Sequence, residues 1–174
     1  MKILFISDIH GIPDYLDVID QYKYDELIVL GDLFSYGNES SNIVGNAEVQ
    51  KFLKNHYNKI LCVKGNCDSG YDYRQINLPV NNDFLHLKID NLNIYCTHGH
   101  LYNYHNLSFG EKSGILIYGH EHVPYIESFN DMTYICVGSI SKPRYASKPS
   151  FCIYEDRIFT IYSIDGEIID RITK

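Results

Sequence analysis

Polar side chains of metal-binding type stand in five short clusters along this chain, each just after an apolar run. Asp8 and His10 follow residues 2–7. Asp32, in Gly31-Asp32, follows residues 27–30. Asn66, in Gly65-Asn66-Cys67-Asp68, follows residues 60–63. His98 and His100 follow the run that ends at Cys96, and His120 and His122 follow residues 115–118. Taken singly, each cluster has an ordinary structural explanation, since an Asp after a strand often caps a helix or closes a turn. Taken together they form a register that chance does not supply. Gly11, Gly31, Gly65, Gly99 and Gly119 accompany them, and glycine lets a backbone turn sharply and approach an ion or phosphate closely. In His120-Glu121-His122, alternate residues aim both imidazoles to one side of an extended segment.

The donors are carboxylate, imidazole and amide oxygen, with no thiolate among them. Such mixed N/O ligation suits Mn²⁺, Zn²⁺, Ni²⁺, Fe or Co²⁺ rather than a structural cysteine-zinc site. The donors are too many for one ion. Two ions ~3.5–4 Å apart that share a carboxylate would use them all and clamp both oxygens of an in-line displacement. They would also lower the pKa of a bridging water from about 15.7 towards ~7. Phosphoester hydrolysis needs both services, because the phosphoryl group is anionic and repels nucleophiles.

The elements that must position these residues follow from the apolar pattern. Residues 2–7, 27–30 and 60–63 read as buried strands. Between them Tyr15, Leu16, Ile19 and Tyr22, after Pro13, mark one amphipathic helix, and Val49, Phe52 and Leu53 mark another. A βαβαβ pattern predicts a parallel sheet. The second half reads as strands: a hairpin of 84–89 and 93–96 about Asp90-Asn91, a short helix near 107–112, and a strand at 115–118. A second hairpin of 125–129 and 132–137 flanks Asn130-Asp131, followed by strands at 151–154, 158–164 and 168–172. Ligands of open α/β sheets bind outside the carboxyl ends of the strands, so five strands would deliver these side chains to one rim. The pattern predicts one domain over residues 1–174, two packed sheets with helices outside.

Composition narrows the function classes. The chain has 174 residues, 45% hydrophobic and 21% charged, which suits one globular domain. Its formal net charge of −7 argues against general nucleic-acid binding, which takes a basic stripe. It leaves an anionic small-molecule substrate open, because bound cations reverse the sign of an acidic pocket. No run reaches the ~20 apolar residues of a membrane span, and the N-terminal run stops at Ser7-Asp8, too soon for a signal peptide. Of the five cysteines, Cys62, Cys96, Cys136 and Cys152 lie in apolar runs as small hydrophobes, and none is spaced C-x-x-C. An odd count without a secretion signal predicts the cytoplasm.

The motifs D-x-H, G-D, G-N-C-D, T-H-G-H and G-H-x-H, in that order from Met1 to about Ser141, resemble the calcineurin-like metallophosphoesterases. The small size and the G-N-C-D variant resemble the YfcE-type phosphodiesterase subfamily. The resemblance implies an α/β (α+β) class and a four-layer αββα fold, two packed mixed sheets flanked by helices. It implies a first ion on Asp8, His10 and His122, a second on Asn66, His98 and His120, and Asp32 as the bridge, with manganese as the leading metal. Asp32, Asn66, Cys67 and His100 form the implied catalytic set. Gly138-Ser139 matches a late Gly-Ser turn of structural character. Many relatives carry His where Cys67 stands, and a thiol donates a proton but binds phosphate poorly; His100 either compensates or supports the His98 loop. Asp68 orients one of these groups or caps the turn.

The activity implied is phosphodiester hydrolysis. A phosphomonoesterase or nucleotide hydrolase is the alternative, and a retromer-type scaffold of the same fold with degraded metal positions is a third. Specificity would come from residues 34–45, 70–82 and 101–106, which carry Tyr36, Tyr71, Tyr73, Arg74, Tyr102 and Tyr104. Relatives of this type form homodimers or homotetramers.

Overall fold

The computed structural model describes residues 1–35, 40–78, 80–81, 84–106 and 110–174. Its first strands are β1 (Ile3–Ile6), β2 (Glu26–Val29) and β3 (Ile60–Val63), with α1 (Leu16–Gln21) and α2 (Ser40–Asn55) as the crossovers. The three pair in parallel, Leu4 beside Leu27 and Leu27 beside Ile60, as the alternation of strand and helix predicts. A short helix α3 (Gly70–Ile76) leads to β4 (Val80–Asn81) on the far side of β3. The chain then builds β5 (Phe84–Ile89), β6 (Leu92–Thr97), β7 (Ser113–Tyr118), β8 (Pro124–Phe129) and β9 (Asp131–Val137). It closes with β10 (Ser150–Glu155), β11 (Ile158–Ser163) and β12 (Ile168–Thr173).

Two mixed sheets result. The larger has the order β12-β11-β10-β1-β2-β3-β4 and the smaller β5-β6-β7-β9-β8. Both predicted hairpins form. Asp90 and Asn91 take φ of 51° and 63°, the left-handed pair that a two-residue turn needs to match strand twist. They bring Ile89 opposite Leu92, and a turn with one left-handed residue, Asn130 (φ 53°), brings Phe129 opposite Met132.

Alternate residues of the central strands feed different layers. In β1, Ile3 and Phe5 point between the sheets while Leu4 and Ile6 meet the helices. In β7, Ile115 and Ile117 point between the sheets while Leu116 and Tyr118 face outward. Burial on both faces is why these strands read as continuous apolar runs. Among the described residues all three α-helices contribute to the core on the outer face of the larger sheet, through Leu16, Ile19, Val49, Phe52, Leu53 and Ile76. The outer face of the smaller sheet is instead covered by Tyr102, Tyr104 and Tyr125 over Tyr95, Tyr118 and Tyr134. Part of the tyrosine excess is thus a layer of the fold, in which the buried Tyr118 hydroxyl pairs with Tyr125 Oη (2.7 Å) and Tyr104 N (3.0 Å). Of the helix expected near 107–112, residues 107–109 lie outside the described residues and 110–112 carry no helix.

The four cysteines in strands are buried and all five are free, as their apolar setting predicts. Among the described residues no helix is long and apolar enough to cross a membrane.

Candidate metal centre

The carboxyl ends of β1, β2 and β3 and those of β6 and β7 open on the same rim, where the two sheets meet. Backbone bonds zip the rim loops together: Asp8 N–H donates to Gly31 O (3.1 Å), His10 N–H to Asp32 O (2.9 Å), and Gly119 N–H to His98 O (2.9 Å). Hydrogen bonds also cross between the sheets. His120 N–H donates to Asp8 Oδ2 (2.8 Å), and His98 Nδ1 donates to Leu30 O (2.7 Å). Asp68 ties the second and third loops. Its carboxylate accepts from Asp32 N (2.8 Å), Leu33 N (2.7 Å), Gly65 N (3.0 Å) and the Tyr73 hydroxyl (2.5 Å). Asp68 therefore braces the backbone rather than orienting Cys67 or His100.

Five candidate ligands sit in the left-handed region: Asp8 (φ 56°), His10 (49°), Asp32 (54°), His120 (62°) and His122 (62°). Each such non-glycine residue costs on the order of 1–3 kcal/mol, and such strain persists only where its surroundings over-determine it, most often at functional sites.

The orientation of the donors answers whether they suit a metal. His122 Nδ1 lies 2.5 Å from Lys142 O. A carbonyl only accepts, so the ring proton is on Nδ1 and the Nε2 lone pair faces inward. That nitrogen is 3.1 Å from Asp8 Oδ1 and 3.3 Å from His10 Nε2. Asp8 Oδ1, fully buried, accepts no hydrogen bond. His98 repeats the arrangement: with Nδ1 donating to Leu30 O, its Nε2 faces Asn66 Oδ1 at 2.9 Å and Asp32 Oδ1 at 3.5 Å. Lone pairs thus converge on lone pairs at two neighbouring points. Buried acceptors so placed need positive charge between them, and the residues fit divalent cations.

The carboxylates and imidazoles of the cluster shift one another. Burial works to raise the Asp8 carboxyl, but the imidazoles of His10, His122 and His98 outweigh it and hold the group well below the usual carboxylate range. Asp32 is also lowered, its burial being outweighed by His98 and by the Cys67 N–H bond (2.8 Å). His98 is raised: burial opposes its charge, and Asp32 and Asp8 more than compensate. His120 is lowered by burial and by His98. Burial and the Asp32 and Asp68 carboxylates push the Cys67 thiol up to about 11.

The expected ligands are placed as follows. Ligand atoms of Asp8, His10 and His122 lie within 4.8 Å of one another, as do those of Asp8, Asp32 and His98, and those of His10, Asp32 and Cys67. Asn66 adjoins His98 through the 2.9 Å contact, and the His120 ring centroid is 5.0 Å from that of His98. His100 is exposed, 5.5 Å from His98 and 6.2 Å from His120 between ring centroids, at the margin of the cluster.

The rim assignment needs correction. Residues 70–76 form α3 rather than a loop, and Tyr73 points inward to Asp68. Tyr102 and Tyr104 pack on the smaller sheet. Tyr71 and Arg74 are exposed, and Tyr36 lies outside the described residues. Ser141 and the Leu30 and Lys142 carbonyls escape the sequence reading, and Ser139, read there as part of a structural turn, also braces the Asp8 loop. Serines beside a Gly-Ser turn give no distinguishing signal, and a carbonyl gives none at all.

Comparison with known proteins places this architecture. Phosphodiesterase YfcE of Escherichia coli K12 is 28% identical over 175 residues, covering 97% of this chain and 95% of the relative. A probable metallophosphoesterase, YsnB of Bacillus subtilis, is 27% identical over 160 residues, covering 88% and 83%. The solved structure of the E. coli YfcE phosphoesterase superposes with a TM-score of 0.89 at 26% identity, covering 99% of each chain. Entamoeba histolytica Vps29, solved with Zn²⁺, shares the fold with a TM-score of 0.62 at 20% identity and 99% coverage of both chains. The pattern of the calcineurin-like phosphoesterase superfamily domain matches residues 1–157. With the crowded N/O donors and the two-sheet rim that presents them, that match makes this chain a member of the calcineurin-like phosphoesterase superfamily.

Proposed function

We propose that the chain is a dinuclear, metal-dependent phosphodiesterase. Asp8, His10 and His122 hold one ion, Asn66, His98 and His120 the other, and Asp32 lies between them. The observation that carries this reading is the pair of lone-pair convergences, at Asp8 Oδ1 with His122 Nε2 and at Asn66 Oδ1 with His98 Nε2. When bound, two such ions would supply hydroxide at neutral pH and neutralise the phosphoryl oxygens. Manganese is the first expectation, with zinc, nickel, iron and cobalt also suited to the set. Five free thiols, four of them buried, fit a reducing cytoplasm.

The chain's own residues do the remaining work. The Leu30 and Lys142 carbonyls fix the imidazole tautomers that turn Nε2 inward. Asp68 holds the Asp32 and Gly65 loops at fixed spacing. Cys67, partly exposed beside Asp32, has a thiol pushed up to about 11 by burial and the neighbouring carboxylates, which makes it a weak donor to a leaving oxygen.

The test is turnover of bis(p-nitrophenyl) phosphate and p-nitrophenyl phosphate by chelator-stripped protein reloaded with Mn²⁺, Ni²⁺, Co²⁺ or Zn²⁺. Metal-restored cleavage with the diester preferred is expected. Monoester preference would move the assignment to a phosphomonoesterase, and no turnover with any metal would leave a scaffold of this fold. A weak proton donor at position 67 favours good leaving groups. Cys67→His is therefore expected to raise kcat by at least ~10-fold on alkyl diesters and far less on nitrophenyl diesters. A series of esters with graded leaving-group pKa reads the difference, and a uniform change across the series would remove Cys67 from proton transfer.

A further inference from the structure

Residues 139–147, the loop between β9 and β10, supply no ligand, yet they contact both ends of one donor group. Ser139 Oγ donates to Asp8 O (2.8 Å). Ser141 Oγ faces Asp8 O (2.9 Å) and Ile9 O (2.7 Å). These are the carbonyls of the left-handed Asp8 turn, so the two hydroxyls fix the turn that aims the Asp8 carboxylate. Ser139 is held in turn, its Oγ accepting from Ser141 N (3.2 Å) and Lys142 N (2.8 Å). The same loop grips His122. Lys142 O receives His122 Nδ1–H (2.5 Å), His122 O accepts from Arg144 N (3.1 Å), and Ser147 Oγ lies between Arg144 O (2.6 Å) and His122 O (3.2 Å). The other donors rest on different supports. His98 leans on Leu30 O, while Asp32 and the Gly65 turn lean on Asp68.

We propose that residues 139–147 are a positioning element for one cation of the pair: they set the affinity of the ion on Asp8, His10 and His122 and act far less on the ion on Asn66, His98 and His120. The inference rests on the dinuclear reading above. Its physical basis is that an outer partner fixes the direction of a lone pair, and losing such a partner typically costs ~10–100-fold in metal affinity. Apart from the His120 N–H bond to Asp8 Oδ2 (2.8 Å), the supports of the two donor groups are separate, so that loss falls mainly on one ion.

The test titrates chelator-stripped protein with Mn²⁺ by calorimetry and counts bound metal by mass spectrometry. Ser141→Ala is expected to raise one of two dissociation constants by about 10-fold and leave the other within about 2-fold. Ser141→Thr, which keeps the hydroxyl, is expected to restore it. In an Asn66→Ala background, which keeps the first donor group, Ser141→Ala weakens the remaining ion by the same factor. In a His122→Ala background it changes nothing. Ser147→Ala, at a half-buried hydroxyl, provides an independent variant should Ser141→Ala lose its fold. A general loosening of the protein would weaken both ions, so equal effects on both, or none on either, overturn the inference alone. Wild-type protein that binds fewer than two Mn²⁺ per chain overturns the dinuclear reading and this inference with it.

Discussion

Replacing Asp32 with Asn is expected to lower phosphodiester turnover by at least ~10³-fold, with bound Mn²⁺ falling from two per chain to one or none while the fold survives. Asp32 is almost wholly buried between the halves of the cluster. Its Oδ1 accepts from Cys67 N (2.8 Å) and faces His98 Nε2 (3.5 Å), and its Oδ2 faces His10 Nε2 (3.7 Å). A carboxamide keeps the shape and the Cys67 bond, but it removes the charge and turns an N–H group towards an imidazole. Cations shared across that position lose their common anion. Turnover, metal counting and a thermal melt on one preparation separate the outcomes, and full activity with two ions would remove Asp32 from the bridge.

Gly119→Ala should be nearly as damaging, for a steric reason. A Cβ at this position would lie under 3.0 Å from Ser7 Oγ, Ser7 Cβ and Asp8 Oδ2. Ser7 is fully buried and its hydroxyl donates to Leu30 O (3.2 Å), so it has no room to retreat. The methyl group must push the Asp8 carboxylate aside or part the two sheets. Displacements near 1 Å at a reacting centre cost ~10²-fold in rate, and overpacking costs about 1–3 kcal/mol of stability. Kinetics and denaturant unfolding of Gly119→Ala should show both. Gly70→Ala, where the added carbon meets nothing within 4 Å, is the matched control and should leave the kinetics unchanged and lower stability not at all, raising it by at most about 1 kcal/mol. Wild-type kinetics in Gly119→Ala would mean the seam yields more readily than its packing indicates.

What the sequence disclosed follows from which groups carry a side-chain signature. β1, β2 and β3 were legible because burial on both faces makes an unbroken apolar run, and the βαβ alternation then fixes them as parallel. The Asp90-Asn91 turn was legible because few residue pairs accept two left-handed positions. The candidate ligands were legible as types and order. α3 was missed although Ser69 and Asp72 form a capping box at its start, because with seven residues it turns little more than Tyr73 and Ile76 inward. β4, with two residues, is below any periodic signal. The Leu30 and Lys142 carbonyls that set the imidazole tautomers belong to the backbone and are silent in any sequence. The strain at Asp8, His10, Asp32, His120 and His122 was equally hidden, since those residue types are common outside the left-handed region.

Donors from both sheets meet at the rim, and this orders events as the chain is made. Asp8, His10, Asp32 and Asn66 leave the ribosome well before His98, His120 and His122, and the loop that steadies Asp8 comes later still. A nascent amino-terminal half therefore offers a scavenged ion only fragments of a cage. On the proposed dinuclear reading, tight cation capture would wait until residues 120–147 have joined the first strands.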